Sequence, residues 1–337
     1  MRINTTSWNF AACLATLIAG LVTFSSASQA SPDRWRLEGW KTDFSKKSVE
    51  WIEVLSGGPP RDGIPSIDNP KFVSIKGHKD LTATEPVIGL EINGEARAYP
   101  LRILTWHEIV NDVIGGTPVA VTYCPLCNAA IVFDRRLDGE VLEFGTSGKL
   151  RNSDLIMYDR QTQSWWQQFT GEAIAGSLTG KELKMLPARL EAYERFVARH
   201  PDGEVLVPTN PNMRAYGRNP YGGYDSSAFP FLYRGEVPEG ISPMARVVVV
   251  ENAGKPTAVS LELLRNKGRM AVGETTLTWE KGQNSALDSS SIARGRDVGN
   301  VVAQRKAADG TMTDVRYDVT FAFVFHAFHP ESEIIKG

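Results

Sequence analysis

The chain predicts a β-rich α+β fold: two related hairpin-and-sheet halves, a degenerate internal duplication, packed as one compact unit. Three observations carry this reading. Short strand-forming runs recur between Gly, Asn and Asp turns, and Asn93-Gly94, between 87–92 and 95–99, is the strongest short-range hairpin signal. Helical periodicity is brief, as over 101–114, where Ile103, Trp106, Val110 and Val113 recur every three or four residues before Gly115-Gly116. Finally, 246–264 (RVVVVENAGKPTAVSLELL) echoes 87–104 (VIGLEINGEARAYPLRIL), and 325–335 (FHAFHPESEII) echoes 196–206 (FVARHPDGEVL), each ending with His-Pro before an acid.

Residues 1–30 read as a secretory signal. Arg2 precedes a mostly apolar run over 10–24, and Ser28-Gln29-Ala30 fits the small-x-small cleavage rule. The run is shorter than the ~20 residues a spanning helix needs, and the residues before Cys13 do not read as a lipoprotein signal. Cleavage implies a periplasmic or secreted bacterial protein with two cysteines, Cys124 and Cys127, in a compartment where disulfides persist.

Residues 31–84, punctuated by Gly57-Gly58-Pro59-Pro60 and Asn69-Pro70, read as an irregular lead-in that packs on the main body. The first half, 85–206, carries the hairpin, the 101–114 helix, strands at 118–123, 129–134 and 141–144, and a short helix at 190–199. Residues 207–242 form a loop rich in Tyr, Gly and Pro, and a connection this long usually serves function. The second half, 243–337, opens on a four-valine run that charges bracket, so it reads as a buried strand and not a membrane span.

Composition sets the outer limits. At 42% hydrophobic and 23% charged, the chain is neither disordered nor a coiled coil. Its net charge of −2 gives no electrostatic footprint for nucleic acid. Three Cys and five His exclude a disulfide-dense scaffold.

The chemistry concentrates at Cys124-Pro125-Leu126-Cys127, after the strand ending at Tyr123. This C-x-x-C brings two sulfurs close enough for a disulfide or a shared soft metal. A strand, not a long helix, follows it, which argues against a thioredoxin fold. His107 lies on the inward face of the predicted helix, aimed at the strand bearing Cys124, with Asn111 one turn on to orient it and Glu108 beside it. His107-Glu108-x-x-Asn111 is not a zincin motif, because the second His is Asn. Two sulfurs with His107, and Met157 as a thioether, suit copper or another soft metal. Gly145-Thr146-Ser147-Gly148-Lys149 matches neither a nucleophile elbow nor a P-loop, but Ser147, Lys149 and Arg151 suggest an anion-binding nest. Trp166 suggests a pocket wall. The second half lacks counterparts of Trp106-His107-Glu108 and of the Cys pair, so it reads as a buttress.

Taken in order, Ala98-Tyr99-Pro100, WHEIVND from Trp106, TYCPLC from Thr122, FGTSGKLRNSD from Phe144, Met157-Tyr158-Asp159, SWWQQ from Ser164, Gly171-Glu172-Ala173 and NPYGGY from Asn219 resemble a bacterial family known only as the domain of unknown function 3179. The resemblance runs over about 85–335. It implies an exported protein carrying the C-x-x-C and brings no established activity. The sequence thus supports an exported protein with a Cys124/Cys127/His107 site for thiol–disulfide redox, where Cys124 attacks and Cys127 resolves, or for soft-metal binding. The contrasting reading is a non-catalytic module that holds a small ligand or a peptide in a groove closed by the 207–233 loop, with the Cys pair as a structural disulfide; the partner expected is a small molecule, a metal or an exported protein.

Overall fold

The computed structural model describes residues 31–337, so the signal expected at 1–30, Cys13 included, lies outside the described residues. Helix α1 (Pro32–Leu37) starts on Ser31, whose hydroxyl accepts from the Arg34 N–H, with Pro in the first turn. Strands β1 (Val54–Ser56) and β2 (Lys71–Ser74) follow, so the lead-in contributes edges to two sheets.

The predicted hairpin forms as β3 (Pro86–Ile92) and β4 (Glu95–Pro100), with Asn93 and Gly94 both at positive φ. Helix α2 (Leu101–His107) then stops seven residues before the predicted end. Residues expected to continue it form β5 (Ile109–Ile114), paired with β6 (Thr117–Cys124). Four β-branched residues, Ile109, Val110, Val113 and Ile114, favour the pleated surface. Their spacing serves a helix face as well, which is why periodicity misplaced them. Strand β7 (Ala129–Asp134) pairs with β6, and a small ribbon follows, β8 (Arg136–Leu137) with β9 (Glu140–Val141).

Next come β10 (Phe144–Arg151), β11 (Asp154–Asp159), β12 (Trp165–Gln167), β13 (Ala173–Ala175), β14 (Met185–Leu186) and β15 (Arg189–Ala192). Helix α3 (Tyr193–Arg199) begins three residues later than predicted, because 190–192 are consumed by β15. Strand β16 (Glu204–Val207) precedes the long loop, which holds only a 3₁₀ turn at Tyr224–Ser226. Beyond it lie β17 (Arg246–Asn252), β18 (Lys255–Ser260), α4 (Leu261–Lys267), β19 (Arg269–Val272), β20 (Thr275–Glu280), β21 (Asn300–Lys306), β22 (Met312–Asp314), β23 (Asp318–Phe321), α5 (Ala322–Phe328) and β24 (Ile334–Ile335).

The chain is β-rich, as expected, and its five main sheets are arranged as a five-bladed propeller-like ring. Their strand orders are β15-β3-β4-β16-β2, β14-β7-β6-β5, β1-β10-β11-β12-β13, β23-β17-β18-β24 and β19-β20-β21-β22. The first and fourth share one plan. A two-residue hairpin is flanked by an antiparallel strand on one side and a parallel one on the other, Val205 opposite Ala98 and Val259 opposite Ile335. The β1-β10-β11-β12-β13 sheet has no counterpart. It packs on the lead-in through a separate aromatic cluster of Trp35, Trp40, Phe44 and Trp165. The main apolar core runs through both halves, from Tyr99 and Tyr123 to Phe321 and Phe323.

Candidate functional site

Strand β6 ends at Cys124 and the chain reverses tightly, with the Cys127 N–H donating to the Cys124 carbonyl (3.2 Å) and Asn128 at φ 53°. The hairpin re-pairs at Cys124 opposite Ala129. The two sulfurs stand 3.4 Å apart as free thiols, too far for a disulfide bond of about 2.05 Å. Both face the Ser153 carbonyl, at 3.9 Å for Cys124 and 3.5 Å for Cys127.

The second half clamps this turn from below. The Asn128 amide donates to the Val319 carbonyl (2.9 Å), and the Cys127 carbonyl accepts from Thr320 Oγ1 (2.8 Å) and the Phe321 N–H (3.3 Å). The long loop covers it from above. Tyr224 Oη donates to the Leu126 carbonyl (3.0 Å), and Ser153 Oγ donates to the Phe231 carbonyl (2.6 Å).

The third member of the cluster is Asp154, which the sequence reading did not single out. The turn Asn152-Ser153, both at positive φ, swings Asp154 beneath the thiols at the start of β11. One ligand atom from each of Cys124, Cys127 and Asp154 lies within 4.8 Å of the others. Asp154 Oδ2 accepts from Gln167 Nε2 (2.6 Å) and the Phe169 N–H (2.9 Å), whereas the buried Oδ1 has no hydrogen-bond partner among the described residues. A carboxylate oxygen left bare in the interior costs on the order of 1–3 kcal/mol or more.

Glu108 adds a second buried acid. It follows α2 at φ 59°, ψ −32°, a backbone setting that a side chain resists; the corresponding end of α4 carries Gly268 at φ 68°, ψ −38°. Burial, with the Asp154 charge adding to it, pushes the Glu108 carboxyl up to about 8. Burial likewise raises Asp154 to about 6, against the hydrogen bonds from Gln167 and Phe169. The Cys124 thiol is pushed up by burial, and Cys127 well up by burial and its Cys124 neighbour. Near neutral pH the Glu108 carboxyl and both thiols thus keep their protons around an ionised Asp154, in one dry volume that a cation would discharge. The Tyr123 hydroxyl is also buried, without a partner among the described residues.

His107 is not part of this group. Its Nδ1 engages the Pro65 carbonyl (2.7 Å) and its Nε2 the Tyr216 hydroxyl (2.8 Å), so both nitrogens are occupied, and burial lowers its pKa. Replacing His107 by Phe is expected to cost about 1–3 kcal/mol in denaturant unfolding. Asn111 cannot orient His107 either, because it lies on β5 and binds Asp68 and the Phe144 backbone. Met157 is a fully buried core side chain opposite Trp166.

The other expected residues make contacts elsewhere in the fold. Ser147 donates to the Ile156 carbonyl inside a β-bulge, where Gly148 (φ 72°) lies so close to the Pro59 carbonyl that a Cβ would stand 2.1 Å from it. Lys149 pairs with Glu38 (2.6 Å) and Arg151 with Glu53 (2.8 Å), so no anion nest remains. Trp166 is fully buried with its Nε1 on Asp159. An acid heading the otherwise apolar run Leu155-Ile156-Met157 was the one signal for Asp154. No helix among the described residues is long and apolar enough to cross a membrane.

The model of the family described as Protein of unknown function (DUF3179) matches residues 61–332, with Cys124, Cys127, Asp154 and the covering loop inside the match. No curated protein and no solved structure matches the chain. Because the match covers most of the sequence and bears out the resemblance read from its motifs, the chain belongs to the DUF3179 family.

Proposed function

We propose that this is an exported metal-binding protein whose centre is Cys124, Cys127 and Asp154. The observation that carries the reading is Asp154 Oδ1, which meets no N–H or O–H donor among the described residues and has only two free, buried thiols beside it. A divalent cation satisfies the oxygen, converts both thiols to thiolates and removes the cost of burying the acids. A carboxylate where an imidazole was expected moves the donor set away from copper(I) and toward the borderline ion zinc. Zn–S bonds of about 2.3 Å in a tetrahedron place two sulfurs roughly 3.8 Å apart, close to the 3.4 Å found here. Three protein donors leave a fourth position open, as catalytic zinc sites do. Burial of both sulfurs and their raised pKa values disfavour the redox alternative, because the thiolate is the attacking species. The leader-like residues 1–30 support export, and the shared strand plan of the first and fourth sheets supports an origin by duplication.

The test is native mass and metal analysis of protein exported from a bacterial host and purified without reductant or chelator. One zinc-class ion per chain is expected. Cys124→Ser and Asp154→Asn should each weaken binding by more than about a hundredfold, beyond the usual cost of losing an outer-shell partner. A metal-free protein lighter by two hydrogens would overturn the reading in favour of a disulfide.

A further inference from the structure

We propose that the cavity walled by Phe169, Val249, Tyr317 and His329 binds a small organic cation, an ammonium or guanidinium group on an apolar body, through the Asp318 carboxylate. The cavity has a volume of about 520 Å³, within the range of small-molecule sites. Asp318 opens β23 and is 5% exposed. No group among the described residues donates a hydrogen bond to its carboxylate, and the nearest cation, Arg316 Nη2, stands 3.9 Å off on a half-exposed side chain.

Away from the thiol cluster, several other buried acids of this chain are paired with cations. Asp112 is held by Arg97 and Tyr99, Glu85 by Arg102, and Asp225 by Arg246 and Arg296. Asp318 is instead turned to a cavity with its binding capacity free. Burial raises its carboxyl to about 6, so it still carries charge at neutral pH. The remaining charges favour a cation. Asp314 is taken by Arg189 and Arg305 leans to Glu274, so Glu182 and Glu251 join Asp318 against Arg316. The walls supply Phe169, Val249, Val250 and Pro256 for an apolar body, and a desolvated ammonium–carboxylate contact supplies the specificity.

Calorimetric titration with agmatine and 2-phenylethylamine tests this on the whole exported chain, with 2-phenylethanol as the neutral control. One amine should bind saturably with one site per chain, and Asp318→Asn should weaken it at least tenfold while changing the alcohol little. The Asn variant keeps side-chain volume and removes a buried charge, so its thermal midpoint should equal or exceed that of the parent. Thr170→Trp, which fills the cavity and leaves Asp318 intact, should also abolish binding. Absence of saturable amine binding to the parent, or unchanged affinity in either folded variant, overturns the proposal.

Discussion

Replacing Trp165 by alanine is expected to cost about 4 kcal/mol of unfolding free energy, the upper part of the range for aromatic truncation in a core. Trp165 is fully buried and is the hub of the N-terminal aromatic cluster. Its ring lies 4.7 Å from Trp35, 5.1 Å from Phe44 and 5.2 Å from Trp40, mostly edge to face. These contacts hold the lead-in to the β1-β10-β11-β12-β13 sheet, so alanine leaves a void and frees α1 together. Denaturant unfolding gives the cost, and limited proteolysis should show new cleavage before residue 60. The buried Trp165 Nε1 has no acceptor among the described residues, so Trp165→Phe, which keeps a ring and drops the orphan donor, should cost far less. A loss below about 1 kcal/mol for alanine would mean that the lead-in is not anchored there.

In the metal-free protein, stability should fall as pH rises from 5 to 9, and Glu108→Gln should flatten that fall. Glu108 has an ordinary value of 4.5 and is raised to about 8 in the folded chain. The folded state therefore keeps a proton that the unfolded state has released. Its contribution is intact below the unfolded value and is lost as pH climbs toward 8, a change on the order of 4 kcal/mol across the window. Asp154, raised to about 6, acts in the same direction over the lower part of the window. Unfolding midpoints measured across the range check this. At pH 8.5 the Gln variant should be the more stable protein, and zinc added to the parent should restore most of the loss by mass action. A flat profile for the metal-free parent would show that the two acids share no dry environment.

The hairpins were legible because turn chemistry is local: Asn93-Gly94 requires two residues at positive φ and takes them. The C-x-x-C was legible for the same reason. The end of α2 was not, because Ile109, Val110 and Val113 satisfy both a helical and a strand spacing, and the break depends on Glu108 holding a conformation that its residue type disfavours. That single error carried His107 and Asn111 into a site they do not enter. Asp154 was hidden differently. It is 30 residues from Cys124 in sequence and reaches the thiols only through the Asn152-Ser153 turn and the ring of sheets. Long-range register of this kind leaves no periodic trace. The ring itself was illegible because it arises from the packing of sheets that each look like an ordinary hairpin.

The contacts of Val319, Thr320 and Phe321 with the Cys127–Asn128 turn set an order of events. In a chain that emerges N-terminus first, Cys124 and Cys127 appear almost two hundred residues before the strand that closes their turn. For that interval the thiols face solvent, open to metal ions and to oxidants alike. Completion of β23 ends the interval and seals whatever has been captured. If the centre holds a metal as proposed, its state is decided by timing during synthesis as much as by affinity afterwards, and protein refolded with zinc present should differ in occupancy from protein exposed to zinc only after folding.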